Sequence, residues 1–264
     1  MQNIATIAVP AGSVATRQIA CETHGVFESR NFVGKIWSKC PACSAAQAAQ
    51  ELAQEAEQKR RAQQGAWEAS LSASCIPERF TNRTLKSFQV STPEQAHALA
   101  FAEAYADGFD AVMQSGRCAM FVGLPGTGKT HLAAGIGLRL MHRDKRRVLF
   151  TTVMRAVRSI KDTWAKGAEV SETQAIAALV APDLLILDEV GVQFGSDTEK
   201  LMLFDVLNER YEKRRPSILI SNLGLDDVRA YLGERVFDRL REDGGEAVPF
   251  GWESYRGRAP VVTA

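Results

Sequence analysis

The chain has 264 residues, of which 45% are hydrophobic, and this is enough for one full-sized domain and a smaller appendage. Charged residues make up 24% and the formal net charge is +1, which excludes a globally basic nucleic-acid binder and leaves only a local basic patch. No apolar run approaches the roughly 20 residues that span a bilayer. Residues 1–20 also lack the basic start and apolar stretch of a secretion signal, so we expect a soluble cytoplasmic protein.

Residues 1–43 contain three cysteines, one histidine and scattered aromatic residues, too few to build a core without a cross-link. Cys21 pairs with His24 and Cys40 with Cys43, and the two-residue gap lets both side chains of a pair reach one ion from a tight turn. Three thiolates and one imidazole form a closed tetrahedral set, which is typical of structural zinc. The pattern predicts a small zinc-binding N-terminal domain; unrelated buried cysteines beside a surface histidine are the alternative.

Residues 44–75 are rich in Ala, Gln, Glu, Lys and Arg, which are strong helix formers. Large apolar side chains are sparse in this stretch, so the helix has no broad face to bury in a core. We therefore expect a helical linker that connects two domains through solvent.

Residues 76–264 alternate between short apolar runs and helical patterns, which predicts an α/β domain with a parallel sheet flanked by helices. Short apolar runs of this kind are expected of strands that are covered on both faces. The predicted strands are 118–122, 148–152, 184–187, 217–221 and 247–250. The predicted helices are 131–142, 154–166, 198–214 and 225–241, the last with a break near Gly233.

A phosphate-binding loop follows the first of these strands. The segment Gly123-Leu-Pro-Gly-Thr-Gly-Lys-Thr130 matches the P-loop pattern and opens a helix at about Lys129. Its glycines let backbone N–H groups cradle phosphate oxygens, and the helix N-terminus adds a favourable dipole. We expect Lys129 to reach the β- and γ-phosphates of ATP, and the Thr130 hydroxyl to ligate Mg²⁺.

A pair of carboxylates ends the apolar strand at 184–187, in the form of a Walker B motif. We expect Asp188 to face the magnesium ion, and Glu189 to polarise the water that attacks the γ-phosphate. Asn222 ends the strand at 217–221 and is expected to hold that water between the two motifs. The expected ATP- or ADP-binding residues are Gly123, Pro125, Gly126, Thr127, Gly128, Lys129, Thr130 and Asp188.

These motifs, together with several later stretches, resemble the DnaC family of bacterial and phage replicative helicase loaders, which are AAA+ P-loop ATPases. The resemblance covers residues 76–258. Besides the P-loop, the stretches that carry it are Ile76-Pro-Glu-Arg-Phe80, Leu184-Leu-Ile-Leu-Asp-Glu-Val-Gly191, Ser221-Asn222, Leu232-Gly-Glu-Arg-Val-Phe-Asp-Arg-Leu240 and Trp252-Glu-Ser-Tyr-Arg256.

The resemblance implies roles for individual residues. Asn222 corresponds to sensor 1, Arg256 to sensor 2, and Arg239 to the arginine finger that reaches nucleotide on a neighbouring subunit. Arg235, four residues earlier, is an alternative finger. Few residues follow Arg256, so no separate helical lid is expected. The residues implied in hydrolysis are Lys129, Glu189, Asn222, Arg239 and Arg256.

The resemblance also implies partners: a hexameric replicative helicase of the DnaB type, single-stranded DNA, and further copies of this chain in an ATP-dependent spiral. Arg155, Arg158 and Lys161 lie on the predicted helix after the second strand, followed by Trp164, and the stretch Lys161-Asp-Thr-Trp164 resembles the family's DNA-contacting helix. We expect the basic groups to follow phosphates and the indole to stack on a base. A solvated helix face with Trp164 packed inward is the alternative. The zinc-bearing head is similar to that of phage and prophage relatives, and its position implies that it grips the helicase.

Three other functions fit parts of the pattern. A transposition helper ATPase of the insertion-sequence type shares the same core but acts with a transposase on duplex DNA. A small-molecule P-loop kinase has no need of Glu189, Asn222 and the late arginines. The third is a zinc-stabilised adaptor that binds nucleotide but barely hydrolyses it. If Glu189→Gln causes no functional change, the adaptor is favoured over the other functions.

Overall fold

The computed structural model describes residues 15–33, 36–191 and 197–256. Residues 1–14 of the predicted N-terminal domain, and residues 257–264 after Arg256, lie outside the described residues. The chain divides into two units, Met1–Ala66 and Trp67–Ala264, and the division falls inside a long helix. In the parts of the chain that the structure describes, no helix is both long and apolar enough to cross a membrane.

The first unit contains a three-stranded antiparallel sheet in the order β1-β2-β3, which the sequence patterns do not predict. Its strands are β1 (Thr16–Cys21), β2 (Gly25–Val33) and β3 (Ile36–Trp37). Gly25 has φ 78°, a left-handed conformation that glycine adopts without strain, and it closes the turn between β1 and β2.

Helix α1 (Pro41–Ser74) begins three residues before the predicted linker at 44–75 and ends one residue before its end. Proline is well tolerated at the first position of a helix because its missing N–H has no intrahelical partner there. Ser74 is the buried residue of α1, as expected for a helix with so few large apolar side chains. Trp67 and Leu71, near the C-terminal end, pack against the core of the second unit.

The second unit is built on a five-stranded parallel sheet in the order β5-β6-β7-β4-β8, which confirms the predicted fold class. All five predicted strands are present, with ends shifted by no more than one residue. They are β4 (Ala119–Gly123), β5 (Val148–Thr152), β6 (Leu184–Asp188), β7 (Ser217–Ser221) and β8 (Glu246–Phe250). Because all strands are parallel, the P-loop after β4 and the acidic pair at the end of β6 lie along one edge of the sheet.

The described helices of this unit cover both faces of the sheet. They are α2 (Pro93–Asp107), α3 (Phe109–Ser115), α4 (Lys129–Asp144), α5 (Val153–Lys161), α6 (Glu172–Val180), α7 (Asp197–Glu212), α8 (Leu225–Leu232) and α9 (Glu234–Arg241). Helices α2, α3 and α6 are additions to the sequence prediction. The break near Gly233 is confirmed, and it separates α8 from α9 at a residue with φ 80°.

Helix α5 is shorter than the predicted helix 154–166. It ends at Lys161 and passes into a 3-10 turn over Asp162–Trp164. The Thr163 hydroxyl donates a hydrogen bond of 2.6 Å to the carbonyl of Ile160. That carbonyl would accept the N–H of residue 164 if the α-helix continued, so the side chain competes with the helical ladder there.

Successive side chains of each strand point to opposite faces of the sheet, and each face has its own hydrophobic core. Phe121, Ile186 and Ile220 pack with α2 and α4 on one face. Met120, Leu185 and Leu219 pack with α5 to α9 on the other. The P-loop helix α4 and the arginine-bearing helix α9 therefore lie on opposite faces of the sheet.

Arg210 in α7 is a buried charge inside this second core, with 1% of its surface exposed. It donates five hydrogen bonds of 2.6–3.1 Å, to the Ser217 hydroxyl and to the carbonyls of residues 179, 180, 182 and 216. Burial lowers the pKa of Arg210 to about 10, so it remains charged at neutral pH. This side chain ties the end of α6 to the start of β7.

Candidate nucleotide-binding site

The P-loop joins β4 to α4 through three glycines in left-handed conformations. Gly123 has φ 127°, and a Cβ there would lie 2.5 Å from the carbonyl oxygen of Phe250. Gly126 has φ 78°, and a Cβ there would meet the Ser254 hydroxyl at 2.0 Å. Glycine is therefore required at both positions by backbone conformation and by close approach. The loop keeps the concave backbone that binds phosphate groups at the start of a helix.

Lys129 is almost fully buried at the start of α4. Its ammonium donates hydrogen bonds of 2.7 and 2.6 Å to the carbonyls of Gly123 and Leu124, which hold it inside the loop. Burial lowers the pKa of Lys129 to about 8, Asp188 opposes this shift, and the charge of Arg256 adds to it. A phosphate group at this position would relieve the cost of burying the ammonium, because it supplies the opposite charge.

Asp188 and Thr130 form a pair of oxygen ligands for a hard cation. The Thr130 hydroxyl donates a 3.0 Å hydrogen bond to Oδ2 of Asp188, and the Glu189 N–H donates one of 2.7 Å to Oδ1. Burial raises the pKa of Asp188, while these two hydrogen bonds oppose the rise. Carboxylate and hydroxyl oxygens side by side are the kind of set that Mg²⁺ uses in nucleotide sites, so the residues fit the ion.

Glu189 adopts a left-handed conformation with φ 62°, which is uncommon for a residue other than glycine. Its side chain is exposed at the edge of the sheet. The backbone around it is fixed, because the N–H of Val190 donates to the carbonyl of Ile220 and the Ser221 hydroxyl donates to the carbonyl of Val190. Such strain at a charged residue next to a binding loop is common where the side chain must be aimed.

Asn222 directly follows β7, the strand that separates the P-loop strand β4 from the acidic strand β6. It is exposed, and its neighbour Leu223 accepts a 3.1 Å hydrogen bond from the N–H of Gly123. Asn222 thus lies between the two motifs along the edge of the sheet, as the sequence predicts.

Residues 252–256 pass over the P-loop after β8. The indole N–H of Trp252 donates a 2.9 Å hydrogen bond to the carbonyl of Thr127, and the N–H of Tyr255 donates one of 2.9 Å to the carbonyl of Gly126. Arg256 lies at the loop, since a Cβ on Gly126 would be 3.3 Å from its Cδ. This segment brings Arg256 to its own chain's nucleotide site.

The sequence does not predict the contacts of two groups at this site. Trp252 belongs to a stretch that carries the family resemblance, but only the structure shows that its indole N–H donates a hydrogen bond to the P-loop. Phe88 packs against Gly128, His131 and Tyr255, with ring centroids 5.4 and 6.4 Å from the last two. No motif marks Phe88, because its position depends on a chain segment folded against the P-loop from forty residues away.

Arg239 and Arg235 both lie on α9, away from the P-loop helix. Arg239 is half-buried, and its guanidinium carbon lies 5.0 Å from the ring centroid of Tyr211. Arg235 is exposed and lies 5.8 Å from the ring of Phe204. Both arginines therefore lie on the face of the sheet opposite α4, the helix that begins at the P-loop.

The four predicted zinc ligands lie together in the first unit. One ligand atom from each of Cys21, His24, Cys40 and Cys43 lies within 4.8 Å of the others. The Cys21 and Cys43 sulfurs are 3.5 Å apart, and the three sulfurs are 3.3–3.8 Å from Nδ1 of His24. A tetrahedral zinc with bonds of about 2.0–2.3 Å would separate its ligands by about 3.6–3.8 Å. The donor set and its spacing therefore fit zinc.

The predicted DNA-contacting residues divide into two kinds. Arg155 and Arg158 are exposed on α5 and form no ion pair among the described residues. Lys161 forms a 2.8 Å ion pair with Glu199. Trp164 is 54% exposed rather than packed inward, and its indole N–H donates a 2.6 Å hydrogen bond to Glu172.

Comparison with known proteins matches most of the chain. A model of the family of IstB-like ATP-binding proteins matches residues 44–261. The replicative helicase loader DnaC of Escherichia coli strain K12 is 37% identical over 177 residues, which is 67% of this chain and 70% of that protein. A replicative helicase loader DnaC of Buchnera aphidicola, from Schizaphis graminum, is 33% identical over 186 residues, covering 70% of this chain and 74% of its own.

Among solved structures, the crystal structure of the DnaC helicase loader aligns with 66% of this chain and 99% of its own. The TM-score is 0.59 and the sequence identity is 23%, so this likeness supports the fold. The matched family range begins at residue 44, and the Cys21, His24, Cys40 and Cys43 cluster precedes it. The extent of the family match and the identity to the E. coli loader show that this chain belongs to the IstB/DnaC family of AAA+ ATP-binding proteins.

Proposed function

We propose that this protein is an ATP-dependent loader that binds a hexameric replicative helicase of the DnaB type and delivers it onto single-stranded DNA. The observation that carries the proposal is a complete nucleotide site in a chain that is 37% identical to a protein named replicative helicase loader. In this proposal, ATP hydrolysis times the release of the helicase rather than making a metabolic product.

In the proposed site, the P-loop N–H groups and Lys129 hold the phosphates, and Thr130 with Asp188 holds Mg²⁺. The ion held by Thr130 and Asp188 would supply positive charge that offsets the charge of the phosphates. The Glu189 carboxylate accepts a hydrogen bond from the attacking water and polarises it. Asn222 holds that water from the neighbouring strand end. Arg256 contributes positive charge from the same chain.

Arg239 completes the site of the next copy of the chain in the proposed assembly. Its position on the face of the sheet opposite α4 supports a role toward a neighbour. A guanidinium that reaches a γ-phosphate stabilises the charge that grows during transfer. Hydrolysis would then depend on assembly, and ATP binding would favour a spiral of several copies.

Single-stranded DNA would lie along α5. Exposed Arg155 and Arg158 would contact phosphates, and the exposed ring of Trp164 offers a surface on which a base can stack. We assign residues 1–43 as a zinc-stabilised head that grips the helicase, residues 44–75 as the helical linker, and residues 76–264 as the ATPase domain. The whole assembly would act in the cytoplasm.

The deciding experiment mixes the full-length protein with a purified DnaB-type hexamer, ATP and Mg²⁺, and measures the mass of the complex. Transfer of the helicase onto circular single-stranded DNA is then followed by its unwinding of an annealed strand. A stoichiometric complex and protein-dependent unwinding are the expected results. Lys129→Ala should lose both activities, whereas Lys213→Ala, at an exposed lysine in the turn just after α7, should retain them.

Two outcomes of these experiments would overturn the proposal. Failure to bind any DnaB-type helicase, together with nucleotide-dependent filaments on duplex DNA, would favour the transposition helper instead. Phosphorylation of a small molecule without DNA or self-assembly would favour the kinase.

A further inference from the structure

Tyr211 and Arg239 form a cation–π pair between the last turns of α7 and α9. The guanidinium carbon of Arg239 lies 5.0 Å from the centroid of the Tyr211 ring. The negative face of an aromatic ring attracts a cation at this distance. A planar guanidinium on a planar ring also loses much of the rotational freedom that a long side chain has in solvent.

The Tyr211 ring is itself held in place. Its hydroxyl donates a 2.6 Å hydrogen bond to Oε2 of Glu242, immediately after the end of α9. This hydrogen bond raises the pKa of Tyr211, so the hydroxyl stays protonated and remains a donor. The ring thus bridges α7 to the C-terminal end of α9 and cannot swing away without breaking this bond.

Arg239 keeps its charge uncompensated within the described residues. It forms no ion pair there, although eleven ion pairs occur elsewhere in the described parts of the chain. Its Nη1 atom is buried and has no hydrogen-bond partner. Arg239 also lines a small cleft, where Oδ1 of Asn208 is likewise buried and unpartnered. A donor left unsatisfied in this way is costly, and it leaves the Arg239 guanidinium without a hydrogen-bond partner at Nη1 in its own chain.

Arg235 lacks this arrangement. It is exposed, and the ring beside it belongs to Phe204, which has no hydroxyl to anchor it. Of the two candidate fingers, Arg239 is therefore the one whose side chain is held by a fixed support.

We infer that Tyr211, anchored by Glu242, is a positioning residue that presents the Arg239 guanidinium to nucleotide bound by a neighbouring copy of the chain. The inference rests on the proposed function, because it takes Arg239 as the arginine finger. It adds the residues that hold the finger in place before assembly. Positioning before assembly matters because a finger that is already ordered loses less entropy when it engages the phosphate.

The test mixes two kinds of full-length subunit. Glu189→Gln subunits bind ATP without hydrolysing it but carry an intact finger, whereas Arg239→Ala subunits carry an intact site. In the mixture, ATP is hydrolysed only where a Glu189→Gln subunit supplies its Arg239 to the intact site of an Arg239→Ala subunit. The hydrolysis rate therefore measures the activity of this one kind of interface. Tyr211→Leu is then introduced into one kind of subunit at a time, and kcat and KM for ATP are measured.

In the finger-supplying subunit, Tyr211→Leu should lower kcat at least about tenfold with KM for ATP unchanged, a part of the roughly 10³-fold or more that a finger contributes. In the site-supplying subunit it should leave kcat unchanged, which also shows that the variant folds. Tyr211→Phe in the finger-supplying subunit keeps the ring but loses the bond to Glu242, so it should recover only part of the loss.

Two results would overturn the inference, and they are distinguishable. In the first, Arg239→Ala alone abolishes hydrolysis, but adding Tyr211→Leu to either kind of subunit leaves the kcat of the mixture unchanged. Tyr211 would then be dispensable for positioning Arg239, and the proposed function would stand. If Arg239→Ala leaves hydrolysis unchanged in the assembled protein, the assignment of the finger itself fails, and the inference fails with it.

Discussion

The Thr130 hydroxyl donates a 3.0 Å hydrogen bond to the Asp188 carboxylate across 58 positions of sequence. Thr130 lies in the first turn of α4, and Asp188 ends β6. The bond joins the two local motifs into one site. It also explains why both oxygens point to the place where a hard cation is expected.

Glu189→Gln should preserve ATP binding and lower kcat for hydrolysis by about 10²-fold or more, because an amide polarises water far less than a carboxylate. Nucleotide affinity from fluorescence titration and phosphate release from a coupled assay measure the two effects. An unchanged turnover rate would instead support the adaptor with an incidental nucleotide site.

ATP binding should take up a proton at mildly alkaline pH. Burial holds the pKa of Lys129 at about 8 in the folded protein, against an ordinary value of 10.5. Bound phosphates restore the charged form, so at about pH 9 the uptake should approach one proton, whereas near pH 6.5 this lysine contributes none. Calorimetry on Glu189→Gln in buffers of different ionisation enthalpy measures the uptake; equal heats at pH 9 would contradict it.

The lowered pKa of Lys129 also makes the free energy of unfolding depend on pH. Because the folded pKa of Lys129 lies below the ordinary value, the unfolded chain carries more protons between about pH 8 and 10.5. The contribution of Lys129 to the free energy of unfolding of the nucleotide-free protein should therefore rise with pH across this window and be least favourable below pH 8.

Arg210→Met should lower the free energy of unfolding by about 3 kcal/mol or more, because it leaves buried carbonyls without a donor. Urea titration followed by circular dichroism measures the change. Lys213→Ala, in the turn directly after the same helix, removes only an exposed ion pair with Glu209 and should cost less than about 1 kcal/mol. Equal effects of the two variants would mean that the buried hydrogen bonds of Arg210 contribute little.

The purified protein should carry about one zinc ion per chain, and Cys40→Ser should lose it, because a closed tetrahedral site needs all four ligands. Elemental analysis after dialysis gives the zinc content. Cys75→Ser is the matched control, since Cys75 is exposed and not part of the cluster. Zinc retained by Cys40→Ser at full stoichiometry would remove Cys40 from the ligand set.

Arg158→Ala should weaken single-stranded DNA binding more than Lys161→Ala does, because Lys161 must first leave its ion pair with Glu199. Glu199→Gln should strengthen binding by about 2- to 5-fold at low salt, since it removes a competing carboxylate. Fluorescence anisotropy with a labelled oligonucleotide measures these affinities. Identical affinities for all three variants would place the DNA elsewhere on the protein.

Much of the nucleotide site can be predicted from sequence because its parts are contiguous motifs. The P-loop from Gly123 to Thr130 and the pair Asp188-Glu189 each follow an apolar strand, and local spacing suffices to identify them. The five strands of the ATPase unit can likewise be predicted, because strands that are covered on both faces of the sheet appear in the sequence as short apolar runs. The pairs Cys21–His24 and Cys40–Cys43 indicate a metal site by spacing alone, and the structure places all four ligand atoms together.

Contacts between segments that are distant in the sequence cannot be predicted from local patterns and are defined only by the tertiary structure. The bond from Trp252 to Thr127, the packing of Phe88 on Gly128 and the support of Arg239 by Tyr211 join positions with no shared local pattern. The family resemblance favours Arg239 as the finger, but the sequence also offers Arg235, four residues earlier on the same helix, as an alternative. Packing of α9 against α7 separates them, since burial and an anchored ring are properties of the folded surface and not of sequence spacing.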